Sequence, residues 1–148
     1  MPTIYYEPSV CNCDGVDYSK ADIENAASLA LELAKKGRTI GNDKYPHIHN
    51  NRDRFDFPHA SLPYLEFPLL QKGKTYDGRS PGAERVVIGS VADDFGSAVY
   101  CACVTRSGEG EEDQGGVVFA ACKDDSVNPR GKGMLPTEGK GLVGGIGG

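Results

Sequence analysis

Along residues 19–37, SKADIENAASLALELAKKG, apolar side chains return at a helical interval. Ile23, Ala26, Ala27, Ala30, Leu33 and Ala34 fall on one stripe, and the polar positions face away from it. Ser19 can cap the first turn with Asp22 three residues on, and Gly37 stands where a left-handed C-terminal residue belongs. The spacing predicts one amphipathic helix that needs a sheet to cover. Downstream the period drops to two: KYPHI, YLEFPLL, ERVVIG, SAVYCACVT and GVVFAAC are short β-rich runs separated by Gly, Pro and Asp clusters. No second helical pattern occurs among them. One helix followed by a meander of strands predicts an α+β fold, with the helix packed on a central antiparallel sheet and stapled by disulfides. The segment from Thr3 to Tyr18 reads as a small hairpin or loop tied down by its cysteines.

Alternation within the strands sorts side chains by face. In YLEFPLL, Leu65, Phe67 and Leu69 share one side, and Tyr64, Glu66 and Pro68 share the other. Glu66 therefore stands opposite the core residues. In ERVVIG, Val86 and Ile88 share a side that excludes Arg85, which lets the arginine point the same way as Glu66. Opposite charges on one face make a candidate site, and a structural ion pair is the alternative.

Composition narrows the setting. The 148 residues are 39% hydrophobic and contain no apolar run of about 18 residues, so the chain reads as one domain with no membrane span. A formal net charge of -5 excludes a broad electrostatic footprint for nucleic acid, and any polyanion site must be local. Histidine occurs only at His47, His49 and His59. Cysteines at 11, 13, 101, 103 and 122 form two C-x-C pairs and one odd member. That step is tighter than the usual zinc pattern, which favours structural disulfides over a metal site. Disulfides imply a secreted, extracellular protein whose leader has been removed. Residues 123–148 are rich in Gly and charge and read as a flexible tail behind a domain of residues 1–122. Glu109, Glu111, Glu112 and Asp113 read as a solvated loop, and Lys72, Lys74 and Arg79 as a small basic rim or ordinary hairpin charges.

The strings CNC, YPHIHNN, FDF, PYLEFP, SPGAERVV, CACVTRSG and FAAC follow one another in the order found in small fungal guanyl-specific ribonucleases. From about Cys11 to Cys122 the chain resembles that family, the ribonuclease N/T type within the microbial ribonuclease and ribotoxin superfamily. The resemblance implies an endonuclease that attacks the RNA phosphate through the ribose 2'-hydroxyl and leaves a 2',3'-cyclic phosphate. It implies no cofactor and no metal, and a monomer that takes single-stranded RNA or a guanine nucleotide. In that reading Glu66 accepts the hydroxyl proton, and His47 orients it and shares the base role. Tyr45 and Arg85 hold phosphate oxygens, and Phe119 packs beside them. Asn50, Asn51 and Asp53 would read a guanine or purine edge, with His49 and Arg52 at the stacking places. The resemblance further implies the bridges Cys11–Cys103 and Cys13–Cys122, which leaves Cys101 as the free thiol.

One position departs from the pattern. Where relatives place a histidine that protonates the departing 5'-oxygen, this chain has Arg106. Arginine stays protonated, so it stabilises negative charge but shuttles protons poorly. The expectation is an endoribonuclease with weakened chemistry. The alternative is a catalytically inactive, ribonuclease-like secreted effector that binds RNA, a ribosome or a host protein.

Overall fold

A computed structural model describes residues 2–50, 57, 59–106 and 119–126. The elements run β1 (Thr3–Tyr5), β2 (Val10–Cys13), β3 (Val16–Ser19), α1 (Lys20–Lys35), β4 (His47–Ile48), β5 (Leu65–Pro68), β6 (Glu84–Gly89), β7 (Ser97–Arg106), β8 (Phe119–Ala121) and β9 (Lys123–Asp124). The main sheet has six strands in the order β1-β7-β6-β5-β4, with β8 also on β7. Along β7, β1 pairs in parallel with the first three residues, and β8 pairs antiparallel with the last three. The other pairs in this sheet are antiparallel, so the α+β expectation holds with one parallel edge added.

The helix forms where the periodicity placed it. Ser19 accepts from the Asp22 amide at 3.1 Å, and the Asp22 carboxylate accepts from the Ser19 amide at 3.0 Å, which closes a capping box. Gly37, at φ +67°, turns the chain out after the last turn. Ile23, Ala26, Ala27, Ala30 and Leu31 are buried against the sheet, while Leu33 is only partly covered. Full burial of Ile23 and of Leu31 contributes about 1.5–3 kcal/mol each. They meet Phe67, Leu69, Val86, Ile88 and Tyr100 in the main core. Among the described residues, no helix is long and apolar enough to cross a membrane.

The N-terminal segment is the hairpin β2–β3, joined by the left-handed residues Asp14 and Gly15. Lys123 and Asp124, assigned to the tail from sequence, instead form β9 on the outer side of β2. The Cys13–Cys122 disulfide staples this second sheet to the end of β8 across a sequence separation of 109. The predicted Cys11–Cys103 bridge is not formed, and both are buried thiols, as is Cys101. A hydrogen bond to the Cys103 thiol, with burial, pushes the Cys11 thiol well up. Cys101 falls at the β6–β7 register shift, between Tyr100 opposite Ile88 and Ala102 opposite Val87. Glu84 accepts from Tyr18 at 2.7 Å and from Thr105 at 2.9 Å, which ties β3, β6 and β7 together.

Glu7, between β1 and β2, is largely buried and close to Glu24, with Lys20 at 3.8 Å. Burial first, and then the Glu24 carboxylate, push its pKa from 4.5 up to about 7. A carboxyl raised in the folded state favours folding fully below pH 4.5, and that contribution is lost as pH rises through about 7. Glu7→Gln is therefore expected to raise the urea midpoint at pH 8 and to leave it unchanged at pH 4; an equal shift at both pH values rules the account out. Ser19→Ala removes the cap and is expected to cost about 1 kcal/mol in the same measurement.

Candidate active site

Cross-strand register builds one polar face. His47 lies opposite Glu66, Glu66 opposite Val87, Pro68 opposite Arg85, Arg85 opposite Val104, and Arg106 opposite Phe119. Residues paired across strands, and those two apart along a strand, share a face. His47, Glu66, Arg85, Arg106 and Phe119 thus fall on the side of the sheet away from the helix, while Tyr45 packs with the main core and reaches Arg85 by its hydroxyl. A small apolar cluster of Phe57, Val87, Cys101, Ala102 and Val104 makes its floor, with Phe119 and Ala121 at its margin.

Glu66 is buried, at 6% exposure, between two imidazoles. One carboxylate oxygen lies 2.8 Å from His49 Nδ1 and the other 3.6 Å from His47 Nε2. The His47 side chain is 38% exposed, whereas that of His49 is 4% exposed. His49, expected at a base-stacking place, is here buried against Glu66. Its amide donates to the Tyr64 carbonyl at 2.8 Å, so the β4–β5 pairing continues one residue further and alternation turns the ring inward beside Glu66. The His49 ring lies 6.0 Å from that of Phe119, and its Nε2 is buried without a hydrogen-bond partner.

Arg85 is wholly buried. Its Nε donates to the Tyr45 hydroxyl at 2.9 Å, and its Nη1 donates to the carbonyls of Gly82 and Glu84, each at 2.9 Å. Its Nη2 is buried with no partner. Tyr45 stacks on His47 at 4.5 Å and meets Phe67 and Tyr76 edge-on, which fixes the ring that carries this hydroxyl. Burial pushes the Tyr45 phenol up despite the nearby guanidinium, so it stays protonated at neutral pH. Among the described residues Arg85 and Glu66 form no direct ion pair: Glu66 is held by His47 and His49, and Arg85 by Tyr45 and the Gly82 carbonyl.

Arg106 ends β7 as an exposed side chain. Asn50 is exposed just beyond His49, and Asn51, Arg52 and Asp53 lie outside the described residues, as do positions 109–113. Lys72, Lys74 and Arg79 are exposed, and Arg79 pairs with Asp77 at 3.4 Å. His59 stacks on Tyr6 at 5.1 Å. The one group of possible metal ligands among the described residues is Cys11, Cys13 and Cys122, whose sulfurs lie within 4.8 Å of one another. Two of these are joined as a disulfide, which leaves Cys11 as the one thiol of the three. The role of His49 was open to the sequence: an H-x-H step on a strand puts both rings on one face.

A family model described as ribonuclease matches residues 6–123. The chain is 38% identical over 110 residues to guanyl-specific ribonuclease Th1 of Trichoderma harzianum, spanning 74% of this chain and 93% of that protein. It is 39% identical over 87 residues to guanyl-specific ribonuclease T1 of Aspergillus oryzae, spanning 59% and 66%. Against the extracellular guanyl-specific ribonuclease Fl1 of Gibberella baccata, identity is 36% over 96 residues, spanning 65% and 84%.

Tyr45→Phe keeps the ring packing and removes the acceptor of Arg85 Nε. Stranding that buried donor is expected to cost about 1–3 kcal/mol by urea denaturation. A change below about 0.5 kcal/mol would show that the guanidinium has found another partner.

Proposed function

The chain belongs to the guanyl-specific ribonuclease family, and from that premise we propose that it is an endoribonuclease cutting RNA by attack of the ribose 2'-hydroxyl on the adjacent phosphate. The observation that carries this reading is the convergence of a buried carboxylate held between two imidazoles with a buried guanidinium whose Nη2 has no partner. An orphaned buried donor on a fixed cation is suited to a phosphate oxygen. Glu66 takes the 2'-hydroxyl proton, and His47 at its second oxygen orients that hydroxyl. Arg85 and Tyr45 stabilise the charge that builds on the phosphate oxygens. The product is a 2',3'-cyclic phosphate, and no step calls for a metal. The extracellular description of one relative and the disulfide support a secreted protein.

Base recognition would fall to Asn50 with Asn51, Arg52 and Asp53, for a guanine or purine. Arg106 weakens the chemistry, because a guanidinium cannot deliver or remove a proton at neutral pH. Its exposure at the end of β7 also favours a second reading, a protein that holds RNA, a ribosome or a host protein by its phosphates or acidic groups without turnover.

Guanine-containing oligoribonucleotides separate the two readings. The protein is expected to cleave them to cyclic-phosphate ends, Glu66→Gln is expected to be about 100–10,000-fold slower, and a 2'-deoxyguanosine at the cleavage position is expected to block cutting. Cleavage that survives Glu66→Gln sinks the mechanism. Tight binding without cleavage, with turnover gained in Arg106→His, establishes the second reading instead.

A further inference from the structure

Transphosphorylation needs two proton transfers: one off the attacking oxygen and one onto the departing 5'-oxygen. Arg106 cannot make the second. On the site face Cys101 and Tyr64 sit with the apolar cluster, and the described titratable groups that contact Glu66 or Arg85 are Tyr45, His47 and His49, with Glu66 itself. Tyr45 is bound to Arg85, and burial makes its phenol a weaker acid. Glu66 receives the first proton, and His47 lies at its solvent-facing oxygen, where the attacking hydroxyl enters. His49 remains. Its Nδ1 is anchored to Glu66 at 2.8 Å, and its Nε2 is buried and without a hydrogen-bond partner among the described residues. A side chain 96% buried that leaves one nitrogen unpaired is costly unless a ligand completes it. The ring lies 6.0 Å from that of Phe119, the cross-strand partner of Arg106, on the same face of the sheet.

We propose that His49 is the general acid of this enzyme, an inference that rests on the cleavage reading above. In the forward step the 2'-hydroxyl proton passes to Glu66, and the 2'-oxygen bonds to phosphorus. The bond from phosphorus to the 5'-oxygen breaks with its electron pair, and that oxygen takes the proton from His49 Nε2. The site, which began as an imidazolium beside a carboxylate, ends as a neutral imidazole beside a carboxylic acid. Attack of water on the cyclic phosphate runs the exchange backwards: His49 Nε2 takes the water proton, and Glu66 returns its own to the 2'-oxygen. His49 and Glu66 thus trade one proton per step without a third group. Arg106 adds its fixed positive charge beside the departing oxygen.

Two substrates test the assignment. A guanylyl dinucleotide loses an alkoxide and needs an acid, whereas a guanosine 3'-(4-nitrophenyl) phosphodiester loses a stable phenolate and does not. His49→Asn keeps a side-chain amide within reach of Glu66 but cannot titrate. It is expected to slow the dinucleotide about 100–10,000-fold and the aryl ester less than about 10-fold, while Glu66→Gln slows both. Arg106→His added to His49→Asn is expected to restore dinucleotide cleavage. Circular dichroism checks that the variant folds, and His49→Gln gives the same comparison if it does not. Equal losses on the two substrates would make His49 only a positioning residue for Glu66 and overturn the proposal, and so would no loss at all. A wild-type protein that splits the aryl ester but not the dinucleotide also overturns it while leaving the attacking half of the site standing. Failure on both substrates brings down the cleavage reading and this inference with it.

Discussion

Taking a guanidinium out of water costs several kcal/mol unless its donors find acceptors, and Arg85 is wholly buried. Much of the site face follows from meeting that demand. The turn before β6 doubles back so that the Gly82 and Glu84 carbonyls meet Nη1, and Gly82 sits there at φ +71°, a conformation that glycine adopts without strain. Tyr45 must approach from β4's side of the sheet to receive Nε, and the paired backbone of Ile40 and Tyr45 holds it there. These contacts use the cation's other donors and leave Nη2 free. The fold supplies most of the solvation and leaves one donor open.

The sheet separates that site from the stabilising core by nothing more than strand alternation. Phe67 packs into the main core under the helix, while its neighbour Glu66 faces the other way between His47 and His49. Val86 and Arg85 divide in the same manner on β6. A slip of one residue would carry the charges into the helix interface. Glu84 guards against such a slip, since its hydrogen bonds to Tyr18 and Thr105 bind β6 to β3 and β7 at the point where Arg85 turns away.

Features governed by local chemistry were legible in the sequence. The capping box, the Gly37 stop, the bounds of β6 and the shared face of Glu66 and Arg85 all follow from period and turn residues. Features set by distant partners were not. The three residues of β1 show no pattern of their own and are strands because Ser97–Val99 offers them an edge. Lys123 and Asp124 resemble a tail until β2 pairs with them. The Cys11 and Cys103 thiols were brought together as expected, yet proximity left them unbonded. For His49, matching positions to a family assigns a location along the chain, while the extension of β4–β5 pairing decides where the ring points.

A sheet face also makes the relocation of a proton donor physically easy. Side chains on neighbouring strands of one face stand about 4.5–5.5 Å apart at Cβ, so several positions around a fixed phosphate can present the same nitrogen. The end of β7 and the end of β4 are two such positions, linked here through the Phe119 ring. A permanent cation at the first strengthens the hold on phosphate but cannot give up a proton, whereas an imidazole at the second can do so only if the carboxylate beside it accepts one in return. Glu66 is placed to do that, because its hydrogen bond to His49 couples the charge of one group to the charge of the other. On the proposed assignment, anchoring and proton transfer are divided between residues that a single histidine on β7 would have combined.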